Sequence, residues 1–388
     1  MRHVYLDHLA KTPVLPQVRE AMKISDEEFG NPSSLHRLGR KSAKALEEAR
    51  EKVASLIGAA SDEIIFTSCG TESNHLVIQG LAAAHEKKGK HLVLSGIEHF
   101  SVLYTARRLE RQGYRVTHLS VDRQGLVDPA KVLEAIAPET VLVSVQAASA
   151  EIGTIQSIAE IGKIAKSRGV LFHTDAVASC GVIPIDVSKL SVDALSCSAN
   201  TFYGPVGVAA LFLRKGTKMI PFLDGGGQEE GRRSGTENLP AIVGMGEAAE
   251  AARLEMAKRE HPLLKLQHQL IEKIVQVEGV TLTGHPTLRL PGHVSVTVEG
   301  IEGESLLLAL DMNGISVGNG SACNSKAMKS SHVLRAMGIP EKEGRGALVF
   351  SLGIGNTEED IAYVSEIFPK NVAQLRRMGA KRQEVGVS

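Results

Sequence analysis

From about residue 40 to residue 250 the chain alternates two hydrophobic patterns. "RKSAKALEEAREKVASLIG" (40–58) and "IAEIGKIAKSRG" (158–169) carry apolar residues at helical spacing. Between such stretches lie short apolar runs rich in β-branched residues: "EIIFTS" (63–68), "HLVLSG" (91–96), "TVLVSVQ" (140–146), "VLFHTDA" (170–176), "DALSCSA" (193–199) and "VAALFLRK" (208–215). Strands separated by helices predict parallel βαβ units, and near-continuous apolar strands predict a sheet covered on both faces. A charged helical stretch (247–274) then leads into a different pattern. "HVSVTVEG" (293–300) and "ALVFSLG" (347–353) alternate polar and apolar residues, which predicts half-exposed antiparallel strands. The expectation is an α/β chain with a boundary near 255. A large domain over 13–255 holds a mostly parallel central sheet, and a smaller α+β domain is built from 1–12 and 256–388.

Composition narrows the partners. Lys plus Arg (44) equals Asp plus Glu (44), so no net field draws the chain to nucleic acid or to an anionic membrane. The basic residues Arg376, Arg377, Lys381 and Arg382 read as a solvated helix face and tail. No apolar run approaches the ~18 residues of a membrane span, and "MRHVYLDHLAK" has no apolar signal core. Four scattered cysteines (Cys69, Cys180, Cys197, Cys323) form neither a disulfide framework nor a CxxC pair. The expectation is a cytoplasmic protein with reduced thiols.

Ligands of open α/β sheets sit at the carboxyl ends of the strands, and several chemically useful residues fall there. "FTSCGTESN" (66–74) reads as a strand, a Gly70-Thr71 turn and a helix, whose free N–H groups suit an anion such as phosphate. Asp175 ends a strand, either as a helix N-cap or as a functional carboxylate. His99, in "GIEHFSV", is either a capping or core histidine or a ligand group. "GGGQEEGRRSGTEN" (225–238) reads as a mobile glycine-rich loop, or as one that brings Arg232, Arg233 and Thr236 to a phosphate. "GNGSACNSK" (318–326) sets Cys323 among Gly and Ser, with Lys326 near enough in sequence to lower its pKa, which points to a reactive thiol.

These stretches, with "YLDHLAKTP" (5–13), "GNPSSLHRLG" (30–39), "EIGTIQ" (151–156), "YGPVG" (203–207) and "EGESL" (302–306), resemble in order the cysteine desulfurases of the NifS/IscS group. These are pyridoxal-phosphate (PLP) enzymes of aminotransferase fold type I, class V. The resemblance implies a homodimer in which a lysine holds PLP as a Schiff base and a loop cysteine takes sulfur from substrate cysteine. The persulfide then passes to iron–sulfur scaffolds or other sulfur acceptors. Residue by residue, Gly70, Thr71 and Ser198 match the phosphate cradle, and Thr236 matches the residue that reaches it from the second subunit. Asp175 matches the partner of the pyridine nitrogen, His99 the ring-stacking histidine and Cys323 the persulfide cysteine.

The reactive end departs from the family. Where the family has His-Lys, this chain has Asn200 and Thr201, so the Schiff-base lysine is missing. The family's His-x-Asn-Asn-Glu is Ala147 to Glu151, with Ser149 in place of a partner of the ring hydroxyl. The glutamine of Asp-Ala-x-Gln is Ala178, and the arginine that holds the substrate carboxylate is Val349. A threonine has no amine and forms no Schiff base. The leading expectation is therefore a desulfurase-like protein degenerate for PLP chemistry, with PLP not covalently bound and either weakly held or absent. It keeps Cys323 as a sulfur acceptor or as a ligand of an iron–sulfur cluster shared with a scaffold. Two alternatives stand beside it: a working PLP enzyme with its amine relocated to Lys11, and a dimeric binding module without thiol chemistry.

Overall fold

The computed structural model describes residues 2–27, 29–319 and 330–385, with side chains to residue 379. After β1 (Val4–Leu6) come seven strands of one sheet: β2 (Ile64–Thr67), β3 (His91–Ser95), β4 (Arg115–Leu119), β5 (Thr140–Ser144), β6 (Leu171–Asp175), β7 (Ala194–Ser198) and β8 (Ala209–Leu213). Their spatial order is β2-β8-β7-β6-β5-β3-β4. The five strands from β7 to β4 are mutually parallel, and each sequential pair among them is joined through a helix. β8 is the exception, antiparallel to both neighbours. Residues 199–208, which lead into it, hold only one 3₁₀ turn, too little chain for a parallel crossover. Helices cover both faces, and β2, β3, β5, β7 and β8 are buried at every position. Polar residues inside the sheet are paired: His173 lies 2.9 Å from the Ser144 hydroxyl and 3.1 Å from that of Ser196.

The chain beyond builds β9 (Val280–Leu282), β10 (His293–Val298), β11 (Ile315–Val317) and β12 (Ala347–Ser351). β12, β10 and β9 form an antiparallel sheet, while β11 pairs in parallel with β1. The antiparallel pairing agrees with the sequence pattern, but the expected half exposure does not hold, because β10 is buried throughout. Val294, Val296 and Val298 enter an apolar cluster with Leu310, Phe350 and Phe368. The polar face is covered too: Ser295 accepts from Thr283 Oγ1 (2.9 Å) and Arg289 Nη1 (3.2 Å), and His293 Nε2 donates to Ala150 O (2.9 Å). Alternation here records which neighbour each face meets, and neither neighbour is water. The helix Leu239–Ile274 passes through residue 255 without a break; Ile242 and Met245 pack on the first core, Leu266 and Leu270 on the second.

One buried ion pair holds a strained turn beside the central sheet. Glu229 and Glu230 both adopt left-handed backbone, φ 48° and 58°. The Glu229 carboxylate accepts from Arg50 Nη1 (2.7 Å) and Nη2 (2.9 Å) and from Phe66 N (2.8 Å). Arg50 also donates to Ile64 O (3.0 Å) and lies over the Phe66 ring. The pair thus fastens the 225–238 segment to β2. Replacing Arg50 with Met leaves the Glu229 charge buried and unpaired, and is expected to cost about 3–5 kcal/mol in denaturant unfolding; a loss below ~1 kcal/mol would show that the turn is held by other contacts.

Candidate active site

A cleft of about 610 Å³ opens where the carboxyl ends of the parallel strands face β11 and β12. The chain turns from β2 into the helix Gly70–Ala84, which begins at Cys69 with no side-chain cap. Gly70 packs so close to the turn after β6 that a Cβ would lie 2.6 Å from Val177 Cγ2. The backbone N–H groups of this first turn face a wall of the cleft and suit an anion.

Asp175 ends β6. Its Oδ2 accepts from Asn74 Nδ2 (2.7 Å) and its Oδ1 from Val177 N (2.9 Å). No helix follows, so the N-cap alternative is not what the structure has; the carboxylate closes a turn and receives a helix side chain. Burial pushes its pKa up, while Val177 N–H, His99 and Asn74 pull it down. His99 does cap: its Nδ1 accepts from Ser101 N (3.1 Å) at the start of Phe100–Glu110. It stands in the cleft wall as well.

The turn after β7 carries two of the five positions that depart from the resemblance, Asn200 and Thr201. Ser198 donates to Asn200 Oδ1 (2.6 Å). The Thr201 hydroxyl faces two carbonyl oxygens, Val177 O at 2.7 Å and Ser198 O at 2.9 Å, and is 5% exposed. It is committed to backbone and presents no nucleophile. Asn200, Thr201, Ser149, Ala178 and Val349 all line the same cleft, with Gly70, Thr71, His99, Asp175 and Ser198. Thr236 does not; it lies in a neighbouring pocket of about 160 Å³ with Ser68 and Arg233. Cys323 and Lys326 lie outside the described residues. Lys11 is exposed and is not among the lining residues, although its neighbour Ala10 is.

Sequence reasoning missed the acidic wall. Glu98 is fully buried; its Oε1 accepts from Gln146 N (2.7 Å) and its Oε2 has no partner. Burial first, and nearby Asp175 as well, push its pKa well above the carboxylate range, against the pull of the Gln146 N–H. Burial takes Glu151 up to about 8, against a hydrogen bond with Ser331. With Asp7 and Asp175, four carboxyl groups line the cleft, and no Lys or Arg does among the described residues. The signal available in sequence was adjacency alone: Glu98 directly precedes His99 at a strand end. Among the described residues there is no cluster of three or more metal-ligating side chains, and no helix long and apolar enough to cross a membrane.

Known proteins share this architecture. The sequence model of the aminotransferase class-V family matches residues 4–364. Cysteine desulfurase IscS of Methanosarcina thermophila is 50% identical over 97% of this chain and 93% of its own length. Cysteine desulfurase IscS of Dictyoglomus turgidum is 47% identical over 99% and 98%. A solved NifS-like protein superposes with a TM-score of 0.91 at 36% identity, covering 96% of this chain and 100% of that one. Fold, strand-end cleft and near-full-length identity agree, and the chain belongs to the NifS/IscS cysteine desulfurase family of class-V aminotransferases.

Proposed function

We propose that this chain serves sulfur trafficking and iron–sulfur cluster assembly as a desulfurase homologue whose own PLP chemistry is lost or strongly reduced. One observation supports the reading: Thr201, which by resemblance matches the family's lysine, has its hydroxyl turned into backbone in a cleft that no described Lys or Arg lines. The relatives' names, cysteine desulfurase IscS, support the setting in sulfur chemistry.

The residues present fit non-covalent PLP. The uncapped helix start at Gly70 and Thr71 would hold the phosphate with Ser198, and Thr236 of a second copy would complete the cradle in a homodimer. Asp175, its two oxygens fixed by Asn74 and Val177 N, would hold the pyridine nitrogen, and His99 would face the ring. Bound PLP supplies an electron sink for amino-acid chemistry. The chain's own groups withhold the rest. Thr201 offers no amine to hold the cofactor or to move a proton, and Val349 offers no charge to a substrate carboxylate. Among the described residues the cleft offers no Lys or Arg to an amino-acid carboxylate.

On this reading function passes to Cys323. Its thiolate would attack the outer sulfur of a donor persulfide; the donor S–S bond breaks, the donor leaves as a thiolate, and Cys323 carries the persulfide. The same thiolate would serve as one ligand of a cluster shared with a scaffold; Cys180 and Cys197 are buried, and exposed Cys69 adds at most one thiol, so the partner supplies the remaining ligands. The compartment follows as cytoplasmic, where free thiols persist.

Borohydride reduction in the presence of PLP, followed by mass spectrometry, is expected to leave the protein free of a site-specific adduct, with neither alanine nor sulfide released from cysteine. Thr201→Lys is expected to gain an adduct at residue 201 without full turnover, because Val349, Ser149 and Ala178 remain. An adduct on Lys11 in the unaltered protein would overturn the degenerate reading in favour of a relocated amine.

Cys323 is expected to alkylate far faster than the other three cysteines in the folded protein, exposed Cys69 included, read by peptide mass spectrometry over time. Cys323→Ser is expected to lower the cluster content of a co-expressed scaffold. Equal alkylation rates together with unchanged cluster content would leave the binding-module alternative standing.

A further inference from the structure

Glu72 creates a conflict at the helix start. It lies in the first turn of Gly70–Ala84, immediately after the Gly70-Thr71 end that faces the cleft. A carboxylate there competes with any bound anion for the same helix N-terminus, and two negative charges within one helical turn repel. Its Oε2 already accepts from Ser68 N (2.8 Å), so the charge is held in place rather than free to swing into solvent.

Arg233 answers that charge. Its Nε donates to Glu72 Oε1 at 2.8 Å, with Nη2 3.5 Å from Oε2. The two side chains are only 20% and 15% exposed, so water screens the pair poorly. Burial pushes the Glu72 carboxyl up, yet Arg233 and Ser68 hold it below the usual range, so it stays ionised. The arginine reaches this place from a constrained segment. Glu229 is locked by Arg50, Arg232 Nε donates to Glu229 O (3.2 Å), and the Ser234 hydroxyl donates to Gly226 O (2.8 Å). A rigid loop therefore delivers one cation to one carboxylate at the base of the anion-facing turn.

We propose that Arg233 is a positioning residue that neutralises Glu72 and so keeps the Gly70-Thr71 helix end able to hold a phosphate monoester. The inference rests on the reading of that helix end as the phosphate site. It adds a residue outside the cleft that sets the site's affinity for charge rather than for the ring. It also separates two roles within one segment, Arg233 pairing with Glu72 while Thr236 lines the neighbouring pocket.

The test uses ligands that differ only in the phosphate, and amines rather than aldehydes so that surface lysines do not react. Binding of pyridoxamine 5′-phosphate and of pyridoxamine is measured by equilibrium dialysis at low ionic strength, on the full chain. Arg233→Gln is expected to weaken the phosphate ligand at least tenfold and to leave pyridoxamine within twofold. Glu72→Gln, which keeps the arginine, is expected to bind the phosphate ligand at least threefold tighter. Arg233→Gln combined with Glu72→Gln is expected to return to within threefold of the unaltered chain. Equal losses for both ligands, a double variant as weak as Arg233→Gln, or weaker phosphate binding in Glu72→Gln would each overturn the inference while leaving the proposed function in place. If the unaltered chain holds the phosphate ligand no tighter than pyridoxamine, the phosphate-site reading falls and the inference falls with it.

Discussion

The cleft depends on how the backbone of residues 198–203 is tied down. Thr12 N and Thr12 Oγ1 both donate to Asn200 O (2.9 and 2.8 Å), and Tyr203 N donates to Thr12 Oγ1 (2.7 Å). Thr201 turns its hydroxyl to the Asp175 turn through Val177 O, and Ile354 N donates to the Tyr203 hydroxyl (2.7 Å) from beyond β12. Tyr203 itself holds left-handed backbone, φ 69°, with Arg259 over its ring. One turn thus joins the N-terminal segment, the central sheet and the second sheet. Nearly every tie runs through main-chain atoms or through residues other than 201. Apart from the Thr201 hydroxyl on Val177 O, the platform's ties do not involve the side chain at 201.

Charge sets the walls of the cleft apart. Among the described residues they hold Asp7, Glu98, Glu151 and Asp175, with His99 and His332 but no Lys or Arg. In a partly dry site such imbalance is resolved by protonation, and Glu98 and Glu151 are both pushed upward by burial. Behind the cleft two arginines are committed to carboxylates, Arg50 to Glu229 and Glu47 and Arg233 to Glu72.

Much of this was legible in the residues, and the reason is locality. A strand or a helix is set by spacing within a dozen residues, so β2, β3, β5, β6, β7, β8, β10 and β12 fall where the apolar runs lie. The chemical identity of a position is likewise carried by the letter itself: Thr201 and Val349 lack the groups a lysine and an arginine would bring, whatever surrounds them. Of the five positions that depart from the resemblance only Asn200 and Thr201 are adjacent, and that all five share one cleft was expected from family resemblance rather than from spacing.

Tertiary structure decided what depends on remote neighbours. Alternation in β10 states that its two faces meet different surroundings; only the fold shows that the polar face meets Thr283 and Arg289 instead of solvent. Glu229 and Arg50 are 179 positions apart, Arg233 and Glu72 161, and no pattern in the chain marks either pairing. Glu98 is one more acidic residue until folding removes it from water and leaves one oxygen without a partner. The sequence by itself determined the elements, their order and which chemical groups are present. Which charges are neutralised and which remain exposed to one another was decided by the fold, because desolvation and pairing belong to positions in space and not along the chain.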